Sequence, residues 1–136
     1  MSKEYVIKKL GTLSEDVRNK FPNFRGFIAY GSFVRSNKYN DIDLICVFEK
    51  RLPEGDYEPE LLGILDRPSG LTQYVEKHWC GDEKLDLAGY VDIYLDDSPI
   101  KILKQLWFLG TSTEYYIGNN RARKKLKIVS KLEKLL

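Results

Sequence analysis

The residues best suited to chemistry lie between positions 31 and 44, where the chain reads Gly-Ser-Phe-Val-Arg-Ser-Asn-Lys-Tyr-Asn-Asp-Ile-Asp-Leu. Asp41 and Asp43 fall in a stretch rich in β-branched and apolar residues, Asp41 to Phe48, that reads as a strand. Side chains at i and i+2 of a strand share a face, with Cα atoms about 6.6 Å apart. Two carboxylates so placed repel each other, and a divalent cation relieves the conflict. Mg²⁺ suits them, because it takes hard oxygen ligands, typically one or two carboxylates together with substrate phosphates. Just upstream, Gly31-Ser32 ends the apolar run from Gly26 to Tyr30. Glycine lets the backbone turn sharply and lets a phosphate approach closely. A helix starting there would aim free N–H groups at that phosphate, with the Ser32 hydroxyl as a further donor.

A phosphoryl-transfer site built on two metal ions wants a third carboxylate from another strand. Asp92, in Gly-Tyr-Val-Asp-Ile-Tyr-Leu, is the expected one, since strand-like apolar residues flank it on both sides. It would bind the metal that activates the attacking hydroxyl and take that hydroxyl's proton. Asp86 and Asp96 are its competitors. Arg35 and Lys38 lie on the polar turn and suit either a nucleotide contact or plain solvation.

These residues need a scaffold, and hydrophobic spacing outlines one. Val6, Leu10, Leu13 and Val17 recur every three to four residues from Lys3 to Lys20, which predicts a helix weakened by Gly11 and broken at Phe21-Pro22-Asn23. Strands are expected at Gly26 to Tyr30, Asp41 to Phe48 and Lys84 to Leu95, the last with Val91, Ile93 and Leu95 alternating against Asp92, Tyr94 and Asp96. Phe33 to Asn40 has room for one or two helical turns, and Glu49 to Pro59 reads as an acidic loop. Short helices are expected near Glu60–Leu65 and Ser69–Trp79. Ser98-Pro99 is a helix start, with Ile100, Leu103, Leu106 and Trp107 inward and Gly110 as the stop. Thr111 to Gly118 reads as an edge strand or an ordered loop. Asn119-Asn120 caps a last helix with Leu126, Val129 and Leu132 or Leu136 inward.

Composition narrows the classes. A chain of 136 residues, 43% hydrophobic and 31% charged, suits one globular domain and not a disordered one. No run approaches the roughly 18 apolar residues of a membrane span. Met1-Ser2-Lys3-Glu4 leads into no apolar run, so a cytoplasmic location and no membrane partner are expected. Cys46 and Cys80 form no CxxC pair, and a single histidine, His78, excludes a His-rich zinc site. His78-Trp79-Cys80 reads as packing at a helix end. The net charge of +2 hides an asymmetry: residues 121–136 hold seven basic residues and one acid. Such a tail meets phosphates or an acidic partner, or forms the solvated face of a terminal helix.

Gly31-Ser32, Asp41-Ile42-Asp43-Leu44 and Val91-Asp92-Ile93 together resemble the nucleotidyltransferase fold of the DNA polymerase beta superfamily. The small size is similar to its minimal nucleotidyltransferases, including those paired with HEPN-domain toxins. The resemblance covers residues 24–96 in organisation, and the segment between Ser32 and Asp41 is shorter than is usual in that group. It implies an α/β (α+β) domain over residues 1–136, a mixed β-sheet flanked by helices, with a basic C-terminal helix at 121–136. It further implies transfer of a nucleoside monophosphate from an NTP, with ATP the expected donor, to a hydroxyl of a protein or RNA acceptor, releasing pyrophosphate. Asp41 and Asp43 would then hold two Mg²⁺ ions and the triphosphate, and Asp92 would complete the second metal site. Gly31 and Ser32 would grip the phosphates, and Arg35 would aid them or hold the turn. The short stretch after Asp92 implies that the acceptor is gripped by a partner, such as a helical HEPN-type toxin, or by a second copy in a homo-oligomer. A rival reading keeps the fold with weak catalysis, as an antitoxin or nucleic-acid-binding module.

Overall fold

Spacing of apolar residues sets the first element. In the computed structural model, which describes residues 3–51, 54, 68–106 and 115–135, helix α1 spans Lys3–Lys20 and buries Val6, Leu10, Leu13 and Val17 along one stripe. Each such side chain contributes about 1.5–3 kcal/mol by leaving water. The chain turns at Phe21, whose N–H donates to Val17 O at 2.8 Å, and enters strand β1, Phe24–Tyr30. A short helix α2, Ser32–Arg35, connects β1 to β2, Asp41–Glu49. Helix α3, Leu71–His78, precedes β3, Lys84–Ile93. Helix α4, Pro99–Leu106, the short strand β4, Tyr116–Gly118, and helix α5, Asn120–Leu135, follow.

Among the described residues the four strands form one mixed sheet, in the order β3-β2-β1-β4. β1 is antiparallel to β2 and to β4, whereas β2 and β3 are parallel. A parallel pair needs a crossover connection, and the long segment containing α3 provides it. The two central strands are covered on both faces, which is why β2 reads as a near-continuous apolar run after Asp43. One face buries Phe27, Leu44, Cys46 and Leu87 against the α1 and α3 residues Leu10, Leu13, Leu71 and Val75. The other buries Ile28, Ile45, Val47 and Val91 against Ile102 and Leu106 of α4 and Leu126 and Val129 of α5.

The expected α/β class, a mixed sheet flanked by helices, is thus the observed one. One helix face differs: Ile100 is 42% exposed, while Ile102, Leu103 and Leu106 are buried. Residues 100, 103 and 106 share helical spacing with 102, 103 and 106, and the position of the sheet decides between them. The helix expected near Glu60–Leu65, most of the Glu49–Pro59 loop, Trp107, Gly110 and Leu136 lie outside the described residues. No described helix is long and apolar enough to cross a membrane. His78 packs at the end of α3, its ring stacked on Tyr74 at 4.0 Å.

Candidate metal centre

Strand register brings three carboxylates together. In the β1–β2 pair Tyr30 lies opposite Asp43, and in the β2–β3 pair Asp43 lies beside Asp86. Asp41 follows from the two-residue period of β2. Asp41, Asp43 and Asp86 each offer a carboxylate oxygen within 4.8 Å of the other two. Asp41 and Asp43 are partly buried and Asp86 is exposed, so the cluster is open to solvent on one side.

No lysine or arginine among the described residues pairs with any of the three. The charges therefore act on one another without relief. Burial pushes the Asp43 carboxyl above its ordinary range, and the charge of Asp41, a hydrogen bond with Asp86 and the charge of Asp86 add to it. Tyr30 at the end of β1 feels the same field: burial raises its hydroxyl, and Asp43, Asp86 and Asp41 raise it further. Such a group could hold a cation, and its all-oxygen donor set is of the kind that Mg²⁺ takes.

Gly31 ties the turn to this cluster. Its φ of 76° is a conformation that side-chain-bearing residues rarely adopt, and a Cβ there would stand 2.5 Å from Asp43 Oδ2. Its carbonyl accepts from the Val34 N–H at 3.1 Å and the Arg35 N–H at 3.3 Å, which starts α2. Phe33 anchors that turn by packing edge-on against Tyr39, ring centres 4.8 Å apart. Ser32 is half-buried at the head of α2, and Arg35 is exposed at its end.

Asp92 does not join Asp41 and Asp43. It pairs in register with Phe48, six residues beyond Asp86 and so roughly 20 Å along the strand. Its carboxylate meets Lys50 Nζ at 3.7 Å. The register is the reason: with Asp86 beside Asp43, Asp92 falls beside Phe48 near the far end of β2. A bulge also turns its side, since Leu44 pairs with Leu87 and Ile45 with Gly89, leaving Ala88 without a partner in the ladder. The extra residue inverts the alternation, so Val91 and Ile93 pack into the α4–α5 core and Asp92 points to the other face from Asp86. Asp96 is also elsewhere, in an ion pair with Arg121. The third carboxylate at the cluster is Asp86. Its surroundings, Leu85-Asp86-Leu87, repeat the apolar-Asp-apolar pattern of Ile42-Asp43-Leu44, which was the available sign. Tyr30 was not singled out by the sequence, and only the β1–β2 register reveals it.

Comparison with protein-family models, with curated proteins and with solved structures found no match for this chain.

Proposed function

We propose that this chain is a Mg²⁺-dependent nucleotidyltransferase, and the observation that carries this reading is the meeting of Asp41, Asp43 and Asp86 beside the Gly31 turn. Three convergent carboxylates without a basic partner repel one another, and a bound cation would relieve that repulsion. Bound Mg²⁺ would neutralise charge on a transferring phosphoryl group and on both the attacking and leaving oxygens.

In this reading Asp41 and Asp43 hold the cations and orient the triphosphate, and Asp86 takes the role that the sequence had suggested for Asp92. The Gly31-Ser32 backbone, which comes close to Asp43, would meet the triphosphate. An acceptor hydroxyl attacks the α-phosphorus of the NTP; the new P–O bond forms as the bond to pyrophosphate breaks. The hydroxyl's proton passes to a carboxylate oxygen of Asp86, the most exposed of the three. The acceptor belongs to a protein or an RNA.

The test is label transfer. The protein is incubated with Mg²⁺ and each α-labelled NTP in a cell lysate, beside the Asp41→Ala/Asp43→Ala double variant, and protein and RNA are separated. Label on either fraction that disappears in the variant is the expected result. Absence of transfer by a folded wild type would overturn the reading.

A further inference from the structure

At the other end of β1 from the carboxylates lies a cleft of about 560 Å³ between α1, β4 and the start of α5. Arg25 lines it, five residues or roughly 17 Å before Tyr30. Its walls are basic: Lys8, Arg18, Arg25 and Arg123 face it, against one acid, Glu15. Arg25 is neutralised by Glu49 at 2.8 Å. Lys8, Arg18 and Arg123 have no acidic partner among the described residues. Arg123 lies over the Tyr116 ring, 5.9 Å from its centre, and shares the cleft wall with Arg18 and Arg25.

Gly11 adds a second observation. It sits inside α1, where glycine is unfavourable, yet nothing lies within 4 Å of where its Cβ would be. Internal packing does not call for a glycine there. Gly11 lines the cleft, and a side chain at that position would occupy it. A smaller, mostly apolar cavity of about 240 Å³ shares Ile7 and Arg123 with it and is lined by Tyr115, which is 44% exposed.

We propose that these adjoining cavities bind single-stranded nucleic acid, with phosphates in the basic cleft and a base stacked on Tyr115. Cations without an acidic partner beside an exposed aromatic ring match a ligand that alternates phosphates with flat bases. An acidic peptide would use the cations and leave Tyr115 and the apolar cavity without a role. The inference goes beyond the transferase reading, because none of these residues belongs to the carboxylate cluster.

The experiment is fluorescence anisotropy with a labelled ten-nucleotide single-stranded RNA and its DNA counterpart, in EDTA so that no metal-dependent event contributes. With three cations engaged, log K falls with log salt at a slope of about −2.1, so raising salt from about 50 to about 200 mM weakens binding roughly twentyfold. Arg18→Ala should reduce the slope to about −1.4. Tyr115→Ala should weaken binding about tenfold while keeping the slope. Gly11→Gln should weaken binding while raising the midpoint of thermal unfolding, which separates occlusion of the cleft from damage to the fold. Absence of binding at 50 mM salt, unchanged affinity in both Arg18→Ala and Tyr115→Ala, or equally tight binding of a labelled polyglutamate peptide would overturn the proposal. Loss of label transfer alone would leave it standing.

Discussion

Replacing Asp43 by Asn should make the folded protein more stable in EDTA and indifferent to Mg²⁺. Asp43 is the middle member of the cluster, with carboxylate oxygens of Asp41 and Asp86 within 4.8 Å. Two unit charges at that distance repel by about 0.9 kcal/mol in a water-like dielectric and about 3.5 kcal/mol at an effective value near 20. The site is open on the Asp86 side, so the lower figure is the better guide. Asparagine keeps the shape and removes both repulsions, for a gain of about 1–2 kcal/mol. For a chain of this length that is a rise in Tm of about 4–8 °C. The wild type should instead gain stability from the cation, about 2.7 kcal/mol when Mg²⁺ is present at 100 times its Kd.

The pH dependence has a definite sign. Asp43 has a folded pKa raised above its ordinary 3.8, so the folded state binds the extra proton and stability falls as pH rises from that value through the raised one. Asp43→Asn should flatten that slope. Thermal unfolding from pH 3 to 8, with EDTA or with Mg²⁺, reads all three effects. An Asn variant less stable than wild type in EDTA, together with a wild type that ignores Mg²⁺, would refute the argument that unrelieved charge is stored at this point.

Two other outcomes follow from the same geometry. Gly31→Ala forces a side chain into a positive-φ turn and against Asp43 Oδ2, and should cost about 1–3 kcal/mol by urea unfolding while abolishing the Mg²⁺-dependent rise in Tm. Unchanged stability would mean that the turn relaxes freely. Glu49 is pushed up by burial, but hydrogen bonds from Arg25 and Arg121 outweigh this and hold it below its ordinary 4.5. Its stabilisation is therefore present above pH 4.5 and lost as pH falls through the lower folded value. Glu49→Gln should cost about 1–2 kcal/mol at pH 7 and almost nothing well below the folded value; equal losses at both would contradict this.

Much of this fold was legible because its signals are local. The stripe in α1, the apolar run of β2 and the Ser98-Pro99 start of α4 each reside within one element. Asp41 and Asp43 were legible for the same reason, since strand period alone puts them on one face. The third carboxylate was not, because only the β2–β3 register sets Asp86 beside Asp43, while a bulge turns Asp92 to the other face of a strand whose pattern looks unbroken. Gly89 beside the bulged Ala88 was the one local hint, as a glycine inside a strand often marks such an irregularity. The basic cleft was invisible in principle: Lys8, Arg18, Arg25 and Arg123 come from α1, β1 and α5 and meet only through the β1–β4 pairing. The basic C-terminal helix, by contrast, divides its charges, with Arg121 spent on Glu49 and Asp96 and Arg123 turned toward the cleft.

The most direct measurement of the central claim compares Asp86→Asn with Asp92→Asn in the label-transfer assay with Mg²⁺ and α-labelled NTP. Asp86 lies at the cluster and Asp92 lies roughly 20 Å away on the opposite face, so the account predicts that Asp86→Asn loses transfer and Asp92→Asn retains it. Transfer that survives Asp86→Asn, or that fails in Asp92→Asn with the fold intact, would contradict it.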